Sequence, residues 1–363
     1  MTCRAFARQN KRSATSAKAI HCRENGKHNV LAAAATGFRE FVSHNGGTAD
    51  KILARVGLAE DQLSDINRPV DLDSYVRMME LAAAETGNDN FGLWYGQQFT
   101  PEMLGLIGAI AIASPTLGLA LENLTRLFPY HQQATRTTLT RQGELIGLEY
   151  RIIDGGIVER RQDAELTLGI LINVFRHCLG ANWAPEEILF EHPKPSGWRQ
   201  HSDAFSAPVQ FGWRTNALIF RKDRLNQRMP QGDLRRVNLL CDQLVKIGGS
   251  VGVVSLLYHV KGEIRGRLRD GILYIDTIAD AVGLQRWTLQ RRLAEYGLSF
   301  SDVIDLVRRE LAERHIRQPY VTILEMSDIL GYSELSAFSR AFRRWFGVSP
   351  QKYRSRLFAS ESG

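Results

Sequence analysis

Cysteine is scarce: the four in 363 residues, Cys3, Cys22, Cys178 and Cys241, fall into no CxxC or Cys/His ligand spacing. No zinc module or disulfide framework is therefore expected, and a reducing cytoplasm suits the chain. Long apolar runs are missing too. The longest, Met103 to Ala113, is broken by glycines and flanked by Pro101 and Pro115, far short of the ~20 residues that span a bilayer. It predicts a buried helix and no membrane partner. The first 30 residues are polar and basic, without the apolar segment of a secretory leader. GxGxxG, P-loop, GxSxG and HExxH are all absent, and His131, His177, His192 and His201 are not spaced as ligand pairs. The expectation is a chain that is not an enzyme and holds no cofactor and no metal.

What is present is a composition that builds ordinary cores, 44% hydrophobic and 23% charged, over a length that suits two domains. The net charge of +7 is unevenly spread: +6 in residues 1–30, −3 in residues 31–250 and +4 in residues 251–363. A slightly acidic middle between basic ends fits a nucleic-acid-binding end joined to a non-binding domain, although a solvated surface gives the same sign.

Residues 1–30 read as a disordered basic arm, with a transit peptide as the compositional alternative. From 31 to 128 the pattern is helical, with Asp71 and Asp73 as N-cap candidates and Ser114-Pro115-Thr116 opening a further helix. Thr135 to Thr140 and Leu145 to Ile153 are β-rich runs about Arg141-Gln142-Gly143, a hairpin signal. A helix is expected over Arg160 to Leu179, then short strands at Ile188 to Glu191, Val209 to Phe211 and Leu218 to Phe220. Residues 31–230 therefore read as one α+β domain. Residues 231–254, ending in Gly248-Gly249-Ser250-Val251-Gly252, read as a linker with a hinge. Residues 255–356 read as an all-α domain and 357–363 as a tail.

Within that all-α domain, Thr277 to Leu293 reads as two helices about Gly283, with Ile278 and Val282 on the buried side of the first and Leu289 and Leu293 on that of the second. This is a helix-turn-helix. The faces opposite the leucines carry Trp287, Gln290 and Arg291, with Gln285 and Arg286 at the helix start, all placed to reach base edges. The unit recurs at Val321 to Phe342 about Gly331, where Phe338 and Phe342 replace the leucines and the exposed face offers Ser336, Ser339, Arg340 and Arg343. Ser301 to about Arg317 forms one helical pattern between the units, with Ser301 or Asp302 as cap, and could set two recognition helices ~34 Å apart, one turn of duplex DNA. Arg292, Arg344, Lys352 and Arg354 suit phosphates better than bases. Packing remains the plain alternative for Trp287, and surface ion pairing for Arg291 and Arg340.

Thr288-Leu-Gln-Arg-Arg-Leu293, Val307-Arg-Arg-Glu-Leu-Ala312, Ile329-Leu-Gly-Tyr-Ser333, Ala337 to Trp345, Gly347-Val-Ser-Pro350 and Tyr353-Arg354 together resemble the AraC/XylS signature over roughly residues 255–356. The resemblance implies two helix-turn-helix units joined by a long helix, double-stranded DNA and RNA polymerase as partners, and activation of a catabolic or adaptive operon. Gln285 departs from the Ser cap frequent in that family. Phe91-Gly-Leu93, Leu104 to Gly108, Ser114 to Leu121 and Asp203 to Val209 resemble the arabinose-binding-like N-terminal domain of a subgroup of these regulators. That implies an effector or dimerisation domain, hence a small-molecule effector and a homodimer. An enzyme domain fused to a DNA-binding module, and an architectural DNA binder without effector, are the alternatives.

Overall fold

The computed structural model describes residues 28–248, 256–271, 273–318 and 321–361. Most of the expected arm, residues 1–27, and Gly249 to Gly252 of the expected hinge lie outside the described residues. The ordered chain opens earlier than the sequence pattern suggests. Strand β1 (Asn29–Leu31) pairs antiparallel with β2 (Pro69–Asp71), because Val30 and Val70 face each other in the core. Residues 29 and 30 are thus strand and not arm, and β2 interrupts a segment that reads as helical throughout.

Helices α1 (Phe38–His44), α2 (Ala49–Val56), α3 (Leu72–Thr86), α4 (Phe91–Gln98), α5 (Leu106–Ala113) and α6 (Leu117–His131) follow. Their starts obey the local chemistry: the Asp71 carboxylate accepts from the Ser74 amide at 2.9 Å, and the Thr116 hydroxyl from the Leu119 amide at 3.2 Å. A five-stranded sheet comes next, in the order β3-β4-β7-β5-β6. Its strands are β3 (Thr135–Gln142), β4 (Leu145–Ile152), β5 (Glu187–Phe190), β6 (Val209–Phe211) and β7 (Asn216–Arg221), antiparallel except for the β5/β6 pair. The hairpin turns at Gly143 and Glu144, one step beyond the expected position, since Arg141 and Gln142 still pair with Ile146 and Leu145.

Helix α7 (Arg161–Leu179) is buried along most of its length and packs on β4, β7 and α4. Its approach to α4 is set by glycine: a Cβ on Gly92 would lie 2.1 Å from the Gln162 carbonyl oxygen, and one on Gly96 2.8 Å from that of Leu166. Nothing larger than hydrogen fits there. After α8 (Arg199–Phe205), the stretch expected as linker contains a further helix, α9 (Leu234–Gly248). It packs on α5 and α6 through Val237 and Leu244, and Gly248 rests against the Tyr130 backbone, where a Cβ would meet the carbonyl oxygen at 2.4 Å. Gly248 is a packing glycine. Val30 to Leu244 belong to one core.

A second core runs from Leu257 to Phe342 and is built mainly from helices. It comprises α10 (Leu256–Arg265), α11 (Ile275–Ala281), α12 (Arg286–Glu295), α13 (Phe300–His315), α14 (Ile323–Ile329), α15 (Leu335–Phe346) and α16 (Pro350–Glu361). Helix α10 also faces the sheet. Its fully buried Glu263 carboxylate accepts from Arg151 of β4 at 2.7 Å, pairs with Arg136 of β3 at 3.0 Å, and contacts Arg267. Arg265 donates to the Gly155 carbonyl at 2.8 Å, while Lys261 ties α10 to Glu310 of α13 at 2.6 Å.

Candidate nucleic-acid interface

Two short helix pairs hang on α13. In the first, Ile278, Leu289 and Leu293 are fully buried, Val282 is half-buried, and Gly283 takes the φ of +71° that the turn between α11 and α12 needs. In the second, Phe338 and Phe342 are fully buried, and their rings meet edge to face at 5.7 Å. Gly331, at φ +69°, presses so close to Leu268 that a Cβ would lie 1.9 Å from its carbonyl oxygen. Helix α14 begins with a reciprocal capping box between Thr322 and Glu325, and α13 with one between Ser299 and Asp302. The α13 cap is therefore Ser299, two or three residues before the expected Ser301 or Asp302. At 16 residues α13 is ~24 Å long, and Val303, Val307, Leu311 and Ala312 place it inside the single core that both units share.

Burying these apolar stripes forces the opposite faces outward. Gln285, Arg286, Trp287, Gln290, Arg291 and Arg292 are all exposed on the first unit, Trp287 by 59%. A large aromatic left this open is not a core residue. The Arg291 guanidinium lies 5.4 Å from its ring, a cation–π contact that holds both side chains on one face. Arg286 pairs with Asp276 at 3.2 Å, and the Gln285 amide oxygen accepts from the Trp287 indole instead of capping α12. On the second unit Ser336, Arg340 and Arg343 are exposed and Ser339 is half-buried.

The cations read as phosphate contacts divide. Arg292 and Lys352 are exposed, and Arg344 is exposed but bonded to Asp305 of α13, as is the Trp345 indole at 2.9 Å. Arg354 departs from the expectation: its Nε and one Nη donate to the Ile316 and His315 carbonyls at 3.1 and 3.4 Å, satisfying the C-terminus of α13. Two features escape sequence reading. Arg308 of α13 donates to the Leu330 and Gly331 carbonyls at 2.9 and 3.2 Å and lies 4.4 Å from the Tyr332 ring, fixing the second turn on the long helix. Leu335, 42% exposed at the start of α15, offers an apolar surface suited to a thymine methyl.

Residues 46–229 match the model of the arabinose-binding domain of AraC transcription regulators, N-terminal, and residues 278–356 match a helix-turn-helix domain model. The chain is also 30% identical over 289 residues to the HTH-type transcriptional regulator VirS of Mycobacterium tuberculosis, across 79% of this chain and 84% of that protein. The chain belongs to the AraC family of transcription regulators. The ornithine utilization regulator of Pseudomonas aeruginosa is 22% identical over 330 residues, covering 84% of this regulator and 93% of that one. Among solved structures, the regulator CdpR of Pseudomonas aeruginosa aligns at 19% identity and a TM-score of 0.38 over 87% of this chain and 98% of its own. This AraC-family protein is thus a DNA-binding transcription regulator and not an enzyme, with the expected α+β first half and double helix-turn-helix second half. Among the described residues no helix is long and apolar enough to cross a membrane.

Proposed function

We propose that the regulator reads two successive major grooves of a bacterial promoter, with α12 in one and α15 in the next. Trp287, Gln290 and Arg291, flanked by Gln285 and Arg286, face bases in the first groove, and Ser336, Ser339, Arg340 and Arg343 in the second. Arg292, Arg344 and Lys352 take phosphates. The observation that carries this reading is the exposure of both polar faces from one shared core. Residues 31–230 bind a small organic effector and self-associate into a homodimer. The effector-bound protein activates transcription in the cytoplasm through contact with RNA polymerase. Coupling of ~1–3 kcal/mol between effector and promoter corresponds to a five- to hundredfold change in affinity.

Footprinting of the intact protein on its own promoter tests the reading. Arg291→Ala and Arg340→Ala each lose ~1–3 kcal/mol at different half-sites, whereas Lys352→Ala weakens all sequences alike and lowers the salt slope by about one. Loss at the same base positions in both arginine variants overturns the two-groove model. A reporter whose output ignores every growth substrate, and is unchanged by deletion of residues 31–230, overturns the sensing role.

A further inference from the structure

The junction between the two cores encloses a partly open cavity of about 70 Å³. Arg160, Arg161 and Arg214 line it from the sheet side, and Arg265, Arg269 and Arg314 from the DNA-binding side, whereas Glu191 is the one carboxylate among its lining residues. Most of these cations have a partner. Arg160 is bidentate to Glu191 at 2.6 and 2.9 Å, Arg161 bonds Glu165 and Asp89, Arg214 lies 3.4 Å from Asp270, and Arg265 lies 3.6 Å from Glu310. Arg269 and Arg314 have no carboxylate within 4.0 Å among the described residues, and Arg269 instead contacts the Gly212 carbonyl. Asp328 and Glu325 act on Arg269, and Arg314 acts on Glu80, from beyond that distance, so both guanidinium charges are partly offset but neither touches a counter-ion. The buried Nε atoms of Arg265 and Arg314 also lack any hydrogen-bond partner among the described residues. Donors orphaned in this way cost free energy until something accepts from them.

The electrostatics agree. The Arg265 guanidinium is lowered to about 10, first by burial and then by the charge of Arg160 beside it. His192 and His315, also in the lining, are lowered to about 3 by burial and add no charge. Trp213, Val158, Leu311 and Ile329 supply an apolar side to the same cavity. A cavity of ~150 Å³ holds benzene, so this one takes an acid group and a short body, with any remainder leaving through the open side.

We propose that this cavity binds a small organic carboxylate, its anion held by Arg269, Arg314 and Arg265 and its body lying against Trp213 and Leu311. The proposal rests on the effector-sensing reading and moves the ligand from the interior of residues 31–230 to the contact with the DNA-binding half. A ligand held from both sides favours the docked arrangement by its differential affinity for that arrangement, and so couples occupancy to promoter binding.

Calorimetry on the full chain at fixed ionic strength, with acetate, succinate and benzoate against acetamide, succinamide and benzamide, provides the test. At least one acid binds saturably and its amide does not. Arg269→Gln and Arg314→Gln each weaken that acid tenfold or more, Arg314→Lys weakens it less, and the exposed Arg221→Gln leaves it unchanged. Binding by none of the acids, equal binding by sulfate, or affinity unaffected by Arg269→Gln and Arg314→Gln overturns the site. The reporter separates the two readings. An acid that binds through these arginines without moving promoter output leaves the site standing and removes the sensing role. Output that responds to growth substrates equally in the Arg269→Gln/Arg314→Gln double variant keeps the sensing role and overturns the site.

Discussion

Replacing Glu263 by glutamine removes one charge from the centre of the junction between the cores. The carboxylate is fully buried, and burial alone would raise its pKa, but Arg151 first, then Arg267 and Arg136, outweigh burial and hold it below the ordinary glutamate value. Removing one partner of a buried ion pair costs about 3–5 kcal/mol, because the other charge stays behind without compensation. The side chain of Arg151 is only 10% exposed, while those of Arg136 and Arg267 are 35% and 25% exposed and regain some water. The lower end, ~3 kcal/mol, is therefore expected. Arg136 and Arg151 stand on the sheet and Glu263 on α10, so most of the loss falls on the contact between the cores, the i,i+4 pair with Arg267 being the part inside the second half. Scanning calorimetry of the full chain should show one transition for the parent and two for Glu263→Gln, the earlier lowered by roughly 10 °C. Since the folded pKa is depressed, this contribution is complete above the unfolded value of ~4.3 and is lost as pH falls through the folded value. A single transition within about 2 °C of the parent would refute the reasoning.

Acid should weaken the fold through its buried histidines: burial holds His131 at about 4 and His192 and His315 at about 3, while it raises the Asp163 carboxyl to about 7. Between pH 6 and 5 unfolding takes up about 2.6 protons on these histidines and releases about 0.9 from Asp163, so stability drops by ~2.3 kcal/mol per unit as pH falls. Urea midpoints that stay level across that interval would contradict this. Arg308→Ala removes two carbonyl bonds at the second turn and should cost ~2 kcal/mol, with footprint protection weakened at the α15 half-site and retained at the α12 half-site. Gly92→Ala drives a methyl into the Gln162 carbonyl and should cost ~3 kcal/mol or leave the chain insoluble, whereas alanine at Gly143, which has open space around it, should cost less, as thermal melts of the two variants can compare.

Local chemistry made much of this legible. The Asp71 and Thr116 caps, the 135–152 hairpin, the α7 span and both helix-turn-helix units follow from spacings of three to seven residues. What escaped was non-local. Helix α9 reads as polar linker because Val237 and Leu244 find their partners on α5 and α6, more than 100 residues away. Gly248 looks like a hinge in isolation and is a close contact with Tyr130 in the fold. Arg354 sits in a basic tail, where a phosphate contact is the natural reading, yet it serves carbonyls at the end of α13. Of the residues expected to face bases, exposure distinguishes Trp287 from a core aromatic, a distinction the helical spacing alone could not draw.

Both reading units grow from a single hydrophobic core threaded by α13, and Arg308, Arg344 and Arg354 pin its flanks. Such a molecule behaves as a fixed ruler. Inserting one base pair between two half-sites turns one of them by about a tenth of a revolution, and two units packed into one shared core resist following it. The duplex must twist or bend to absorb the error, at an energy set by the sequence of the uncontacted step between the grooves. Under the two-groove reading, promoters served by this regulator are constrained in spacing as well as in letters, and bases that no side chain touches contribute to their choice.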